Sequence, residues 1–344
     1  LLLDKDLNEY HIHVPNTPFK NEYHALTVTN QGYLAATSNE GTLIFGGKTH
    51  LNLIPWQHTK HIPDWRDDPD KIKFRWTYLK YLAGEHIPMS IVEKNDGFLV
   101  FPNSGVEPVD DYWLETGAVI ELDVQSRAFQ SFGKEDNVID GMWGINNSNI
   151  FSEYMVINQI DKDVDGNIWI TNPYCERDSN ILAIQIQDNS SWVHVKAPNE
   201  HSFRPTSIAF DRFNRTWLGF AYDHDGESTL YSEGGIKIFN KTNLSSDGWD
   251  DSTWVSISNP SELPGDDPQA SVWSIAFDET DFLWILNEKG IRGYETYDQD
   301  ENSIILSPFR DANGSPREFL SHISYTKGNR IKVDSQNNKW VITH

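Results

Sequence analysis

Residues 206–220 read TSIAFDRFNRTWLGF, and the pattern returns as VWSIAFDETDFLWIL at 272–286, RIKVDSQNNKWVIT at 330–343 and VINQIDKDVDGNIWIT at 156–171. Each copy alternates apolar and polar residues with the period of two that belongs to a strand, enters a polar turn, and resumes the alternation. Looser copies stand earlier, HALTVTNQGYLAAT at 24–37 and MSIVEKNDGFLVF at 89–101. Ile208 with Phe210, Ile275 with Phe277, Ile331 with Val333 and Leu26 with Val28 occupy matching inward places. Trp169, Trp217, Trp284 and Trp340 share one position in the second strand, filled by Ala35 and Val100 in the looser copies. At that position the four indoles are expected to be buried between repeats.

Downstream of the hairpins come third strands, GTLIFGG, GAVIELDV, NILAIQIQD, GGIKIFN and KGIRGYETYD. Fourth strands follow as LNLIPW from 51, AFQSF from 128, SWVHVKAP from 191, STWVSIS from 252 and SIILSPF from 303. Four short antiparallel strands, repeated every ~50 to 70 residues without a long helical pattern, are the signature of propeller blades. The last copy stops after two strands, and LLLDKDLNEYHIHVP at the start reads as strands three and four. The fold expected is therefore all-β: a single β-propeller over 1–344, with four-stranded antiparallel blades. Six blades are expected, seven being the alternative count, and residues 1–14 and 322–344 share the last blade, which both termini close. Such closure removes the free edges of an open ring. The competing reading is a longer polypeptide cut within a repeat.

The phrases DVDGNIWIT, DRFNRTWLGF and DSQNNKWVIT, each with a Gly-led strand such as GGIKIFN behind it, resemble the two-component regulator propeller repeat. The resemblance covers nearly the whole chain. It implies an extracytoplasmic propeller, of the sort found in the sensor portions of hybrid histidine kinases and in surface or type IX secretion proteins of the PorZ kind. Localisation is accordingly expected to be periplasmic, cell-surface or secreted. The long insertions, and Ala35 and Val100 at the Trp place, depart from the repeat. The chain carries no kinase, receiver or DNA-binding region.

Composition narrows the partners. Fifty-one acidic against twenty-eight basic residues give a formal charge of −23 over 344 residues. That charge repels phosphate backbones and anionic lipid, so no nucleic acid and no direct membrane insertion are expected. Thirteen Trp, thirteen Tyr and seventeen Phe supply the large buried areas a core needs. Cys175 is the only cysteine, which leaves no intrachain disulfide and no thiolate metal cluster. The spacing of the His residues forms no metal-ligand signature, and no nucleophile elbow or phosphate-binding loop appears.

Asp161, Asp163 and Asp165, followed by Gly166, match the first half of a calcium loop. Read from Asp161, this hairpin is two residues longer than its counterparts, as a loop wrapped round an ion would be. Trp169 and Asn172 fall where the ninth and twelfth ligands belong, so no cofactor is required and only weak calcium binding is expected.

The longer connections all lie on one side of the blades. Fourth-to-first segments span 57–87, 133–153 and 258–271, and second-to-third segments span 102–117, 172–180 and 221–235. Long loops of this kind commonly carry function. They hold Trp65, Trp76, Trp113, Trp143, Tyr174 and Tyr222, aromatics interleaved with charge that suit a protein, carbohydrate or peptide ligand. The function expected is a non-catalytic, ligand-sensing or protein-interaction propeller of an exported bacterial protein, binding through that face. One alternative is an enzyme of the lyase or lactonase propeller type, with a metal in the central channel. The other is a structural component of a cell-surface or secretion assembly.

Overall fold

The computed structural model describes residues 2–3, 9–11, 23, 25–38, 41–46, 57–59, 90–94, 97–109, 112–126, 128–132, 138, 157, 159–173, 180–187, 192–199, 201, 204–223, 232–240, 254–320 and 330–342. Among them the architecture is all-β, with two short 3-10 turns at Pro260–Glu262 and Pro264–Asp266. Strands Ala25–Val28, Tyr33–Ser38, Gly41–Gly46 and Gln57–Thr59 form a four-stranded antiparallel unit. Units of the same up-and-down order follow. The second comprises Val92–Glu93, Phe98–Val109, Tyr112–Asp123 and Phe129–Phe132, and the third comprises Ile160–Lys162, Ile168–Thr171, Asn180–Gln185 and Trp192–Lys196.

The fourth unit, Pro205–Phe210, Thr216–Phe220, Ile236–Phe239 and Trp254–Ile257, joins the fifth, Val272–Phe277, Leu283–Asn287, Ile291–Asp300 and Ser303–Pro308. The joint is a parallel pairing of their outer strands, Ser256 with Ser303 and Ile257 with Ile304, making one eight-stranded sheet. It gives two otherwise open edges a partner. Asn259 extends the ladder, its side-chain amide donating to Leu306 O and its carbonyl accepting from Leu306 N, at 2.6 and 2.9 Å.

Arg330–Val333 and Lys339–Ile342 form a two-stranded sheet, as do Leu2–Leu3 and Glu9–His11. Among the described residues these two pairs are separate sheets. The fourth strand of the first unit is Gln57–Thr59 rather than the LNLIPW segment, whose residues lie outside the described set.

One turn builds every inner hairpin. The residue in the first place donates its backbone N–H to the carbonyl four residues on, in Thr29, Lys94, Asp163, Asp211, Asp278 and Asp334 alike. Three residues on, the backbone is left-handed, at Gly32, Gly97, Gly166, Asn214, Asp281 and Asn337. This is the three-residue hairpin loop that ends in a left-handed residue, a conformation that Gly, Asn and Asp tolerate best. The hairpin containing Gly166 is therefore the same length as the others; its first place is Asp163, and Asp161 belongs to the strand, opposite Trp169.

The core lies between units. Trp169 meets Phe210 of the following unit edge to face at 5.5 Å between ring centres, and Trp217 meets Phe277 in the same way at 5.5 Å. Both indoles are fully buried, and Trp284 is half-buried against Phe282 and Phe319. Trp340 differs from the expectation, being 61% exposed.

Candidate functional site

The hairpin aspartates do more than turn the chain. Asp163 Oδ1 accepts the backbone N–H groups of Asp165 and Asn167, both at 2.9 Å, while Oδ2 accepts Asn167 Nδ2 and Trp169 Nε1, both at 2.8 Å. Asp211 repeats this with Phe213 and Arg215 backbone N–H groups and with Trp217 Nε1, and Asp278 and Asp334 repeat it with Trp284 and Trp340. Each carboxylate thus satisfies the turn and the single polar atom of the indole six residues on. Thr29 and Lys94 stand at the aspartate place where Ala35 and Val100 replace the Trp. Asp and Trp are present together and absent together, and at Trp169 and Trp217, both fully buried, an indole N–H without an acceptor would cost about 1–3 kcal/mol.

This geometry distributes the three carboxylates of the calcium-like stretch. Asp163 is committed to the turn and to Trp169. Asp165 Oδ2 accepts Asn214 Nδ2 from the next hairpin at 2.7 Å. Asp161 lines a cavity between the inner strands. Among the described residues no three His, Cys, Asp or Glu side chains gather where they could hold a metal ion.

Polar side chains also stitch the innermost strands to one another. Ser90 Oγ accepts Ile160 N–H at 2.6 Å. Gln159 donates to Ile208 O and accepts from Ile208 N, both at 3.1 Å. Ser274 Oγ accepts Ile331 N–H at 3.1 Å, and Thr206 Oγ1 donates to Val272 O. An innermost strand has one edge without a ladder partner, and each staple supplies the missing partner for a buried backbone group. Sequence reading missed these residues; their signal is a polar residue four places before the hairpin's first residue, at Ser90, Gln159 and Ser274. Neighbouring hairpins also interlock. Arg212 N–H donates to Asp281 Oδ1 at 3.0 Å, and Glu279 N–H donates to Asn337 Oδ1 at 3.3 Å.

A cavity of about 310 Å³ opens between the inner strands, lined by Asp161, Lys162, Arg330 and Lys332 together with Gln159 and Phe277 among others. Burial pushes the Asp161 carboxyl up, against the opposing pull of Lys332. Burial likewise brings the Arg330 guanidinium down to about 10.

The opposite face is elaborated. The second-to-third segment at 102–117 is the outer part of a hairpin whose strands run on to Val109 and Tyr112, with Trp113 across from Pro108. The segment at 221–235 carries a ribbon of its own, Tyr222–Asp223 against Ser232–Glu233, where Tyr222 is exposed. Asp223 pairs with Arg204. The two 3-10 turns lie in the 258–271 connection, anchored by buried Arg292. Its guanidinium donates to Glu262 O at 2.6 Å and Asp266 Oδ1 at 3.1 Å and pairs with Glu318. Trp65, Trp76, Trp143 and Tyr174 lie outside the described residues, as does the Trp113 side chain.

The sequence matches no protein-family model and no curated protein. Solved structures do resemble it. PorZ, described as an essential bacterial surface component of the type IX secretion system of Porphyromonas gingivalis, aligns over 96% of this chain and 40% of its own, at 13% identity and a TM-score of 0.52. The extracellular domain of a B. thetaiotaomicron protein described as a one component system aligns over 96% of this chain and 33% of that one, at 12% identity and a TM-score of 0.48. Virginiamycin B lyase from Staphylococcus aureus aligns over 93% and 91%, at 12% identity and a TM-score of 0.48. The likeness is one of fold. PorZ is of the kind that the repeat resembles, and this chain spans two fifths of it and a third of the B. thetaiotaomicron protein. Among the described residues no helix is long and apolar enough to cross a membrane.

Proposed function

We propose that this chain is a six-bladed propeller of an exported protein that binds a protein, carbohydrate or peptide partner through the face of its long connections, without catalysis. The observation that carries the reading is the contrast between the faces. On one, six hairpins use one turn, and those of the third to sixth units are tied to their neighbours. On the other, an extended hairpin, a separate ribbon and two 3-10 turns differ from unit to unit. Ordering residues costs about 1–2 kcal/mol of backbone entropy each, so elaboration confined to one face favours a role for that face beyond stability.

Closure of the ring belongs to the same proposal. Leu26 and Val28 of the first unit are 67% and 64% exposed, while their counterparts Ile208 and Phe210 pack against Trp169. Trp340 and Ile342 of the last unit are exposed as well. Two apolar faces at equivalent places fit each other, Val28 taking against Trp340 the place that Phe210 takes against Trp169. The strands at Leu2–Leu3 and Glu9–His11 then complete the last blade as its third and fourth strands. In a Cys175→Ser background, Val28→Cys with Trp340→Cys should form an intramolecular disulfide on oxidation; intermolecular products alone would refute closure.

The partner face is tested by Trp113→Ala and Trp143→Ala. Each should weaken capture of glycan or peptide probes from an array by about 2 kcal/mol, with little change in melting temperature. A drop in melting temperature with unchanged capture would refute the assignment.

A further inference from the structure

Five charged side chains stand along the inner strands of the repeat, and four of them line the axial cavity. Two places before the hairpin aspartate, the fourth and fifth units carry Ala209 and Ala276, whereas the third carries Asp161 and the last carries Lys332. One place before it stand Phe210, Phe277 and Val333, but Lys162 in the third unit and, away from the cavity, Glu93 in the second, which accepts the Asn30 backbone N–H. Four places before it stand Gln159, Ser207 and Ser274, but Arg330 in the last. Departures from a repeat that converge on one cavity point to a use for the cavity. These positions adjoin the hairpins, so the cavity lies toward the short-hairpin face, away from the long connections.

The charges select the occupant. Lys162, Arg330 and Lys332 are set against one carboxylate, Asp161, which Lys332 faces closely enough to oppose the effect of its burial. A positive excess therefore sits at the axis of a chain whose formal charge is −23, and low-dielectric walls focus its field on the cavity. Neutral Gln and Ser hold the place of Arg330 in other units, and a buried guanidinium costs more than either. Phe210, Phe277, Val164 and Val333 add an apolar wall. The volume, about 310 Å³, is at the small end of ligand pockets.

We infer that the axial cavity binds a small organic anion, its carboxylate or phosphate held by Arg330 with Lys162 and Lys332, and its apolar body lying against Phe210 and Phe277. A guanidinium offers an oxyanion two parallel donors, and the lysines add charge without fixed direction. Asp161 tunes the site by drawing on Lys332, so its removal strengthens anion binding.

Calorimetric titration of the intact chain tests this with three probes: phenylacetate, phenyl phosphate and uncharged phenylacetamide. At least one anion should bind within about 10 mM, and the one that binds names the headgroup; the amide should not. Arg330→Gln, which keeps a side chain able to staple as Gln159 does, should weaken the anion about tenfold, while Asp161→Asn should tighten it several-fold. Loss of binding in Asp161→Asn, equal binding of phenylacetamide, or no binding of either anion would overturn the proposal. Raised salt should weaken binding; an affinity independent of salt would also overturn it.

Discussion

Asp211 is the best place to measure what an aspartate–tryptophan pair contributes. Its Oδ2 accepts Trp217 Nε1 at 3.1 Å and Arg215 Nε at 2.6 Å, and its Oδ1 accepts two backbone N–H groups. Asp211→Asn preserves the Oδ1 acceptor and turns an amide NH₂ toward two N–H donors. The buried indole then lacks an acceptor, costing about 1–3 kcal/mol, and Arg215 loses one of two carboxylates while keeping Asp298. The expected loss is about 2–4 kcal/mol, a large share of the ~5–15 kcal/mol that stabilises a typical domain. In urea denaturation followed by far-UV circular dichroism, the midpoint should fall at unchanged slope. Trp217→Phe removes the stranded N–H, so in a double-mutant cycle it should recover about 1–2 kcal/mol of the Asn penalty. Additive effects within ~0.5 kcal/mol would refute the coupling, as the cycle resolves no less than that.

Three further outcomes are expected. Gln159→Ala should cost about 2–4 kcal/mol and speed hydrogen exchange at the Ile208 amide, because two buried backbone groups lose their partner; unchanged exchange there would count against the staple. Acid should destabilise the fold: burial acts to raise the Asp278 carboxyl, but donors from Lys339, Thr280 and Phe282 hold it well below the ordinary value. Trp340 and Asn338 bring Asp334 down to about 2. A depressed folded value means stability that is complete above the unfolded value near 4 and is lost as pH falls through the folded one, so urea midpoints should drop between about pH 4 and 2, and less in Asp278→Asn. Calcium at about 1 mM should leave the melting temperature unchanged, since Asp163 already has its full set of donors; a calcium-dependent rise abolished by Asp163→Ala would contradict that geometry.

The strand–turn–strand copies were legible because period-two alternation and a polar turn are local properties, which is why the inner hairpins fall where the sequence puts them. The hairpin of Asp163 shows the limit. Three alternating aspartates before a glycine suggest an ion, yet only the register of Ile160–Lys162 against Ile168–Ile170 assigns Asp161 to the strand and Asp163 to the turn. The cavity was illegible for a related reason. Asp161 and Lys332 are 171 positions apart in sequence, and only the convergence of the inner strands on one cavity brings them together. The parallel joint at Ser256 and Ser303 likewise depends on how neighbouring units splay, which no local pattern encodes.

The aspartate–tryptophan pair and the strand staple divide the work of holding units together in a way that frees the opposite face. The carboxylate fixes the hairpin and orients an indole that fills the gap to the next unit, as Trp169 does against Phe210 and Trp217 against Phe277. The staple closes the inner edge, as Gln159 does on Ile208. Both devices lie on the inner two strands, toward the short hairpins, and neither requires anything of the second-to-third or fourth-to-first connections. Those segments can lengthen into the 98–123 hairpin or the 258–271 turns without disturbing the contact between units. The same logic explains why charge at the inner strands is informative: Arg330 donates from Nη1 to Trp273 O at 3.2 Å, a stapling task that neutral Gln159 and Ser274 perform elsewhere, and Asp161 stands where other units carry Ala.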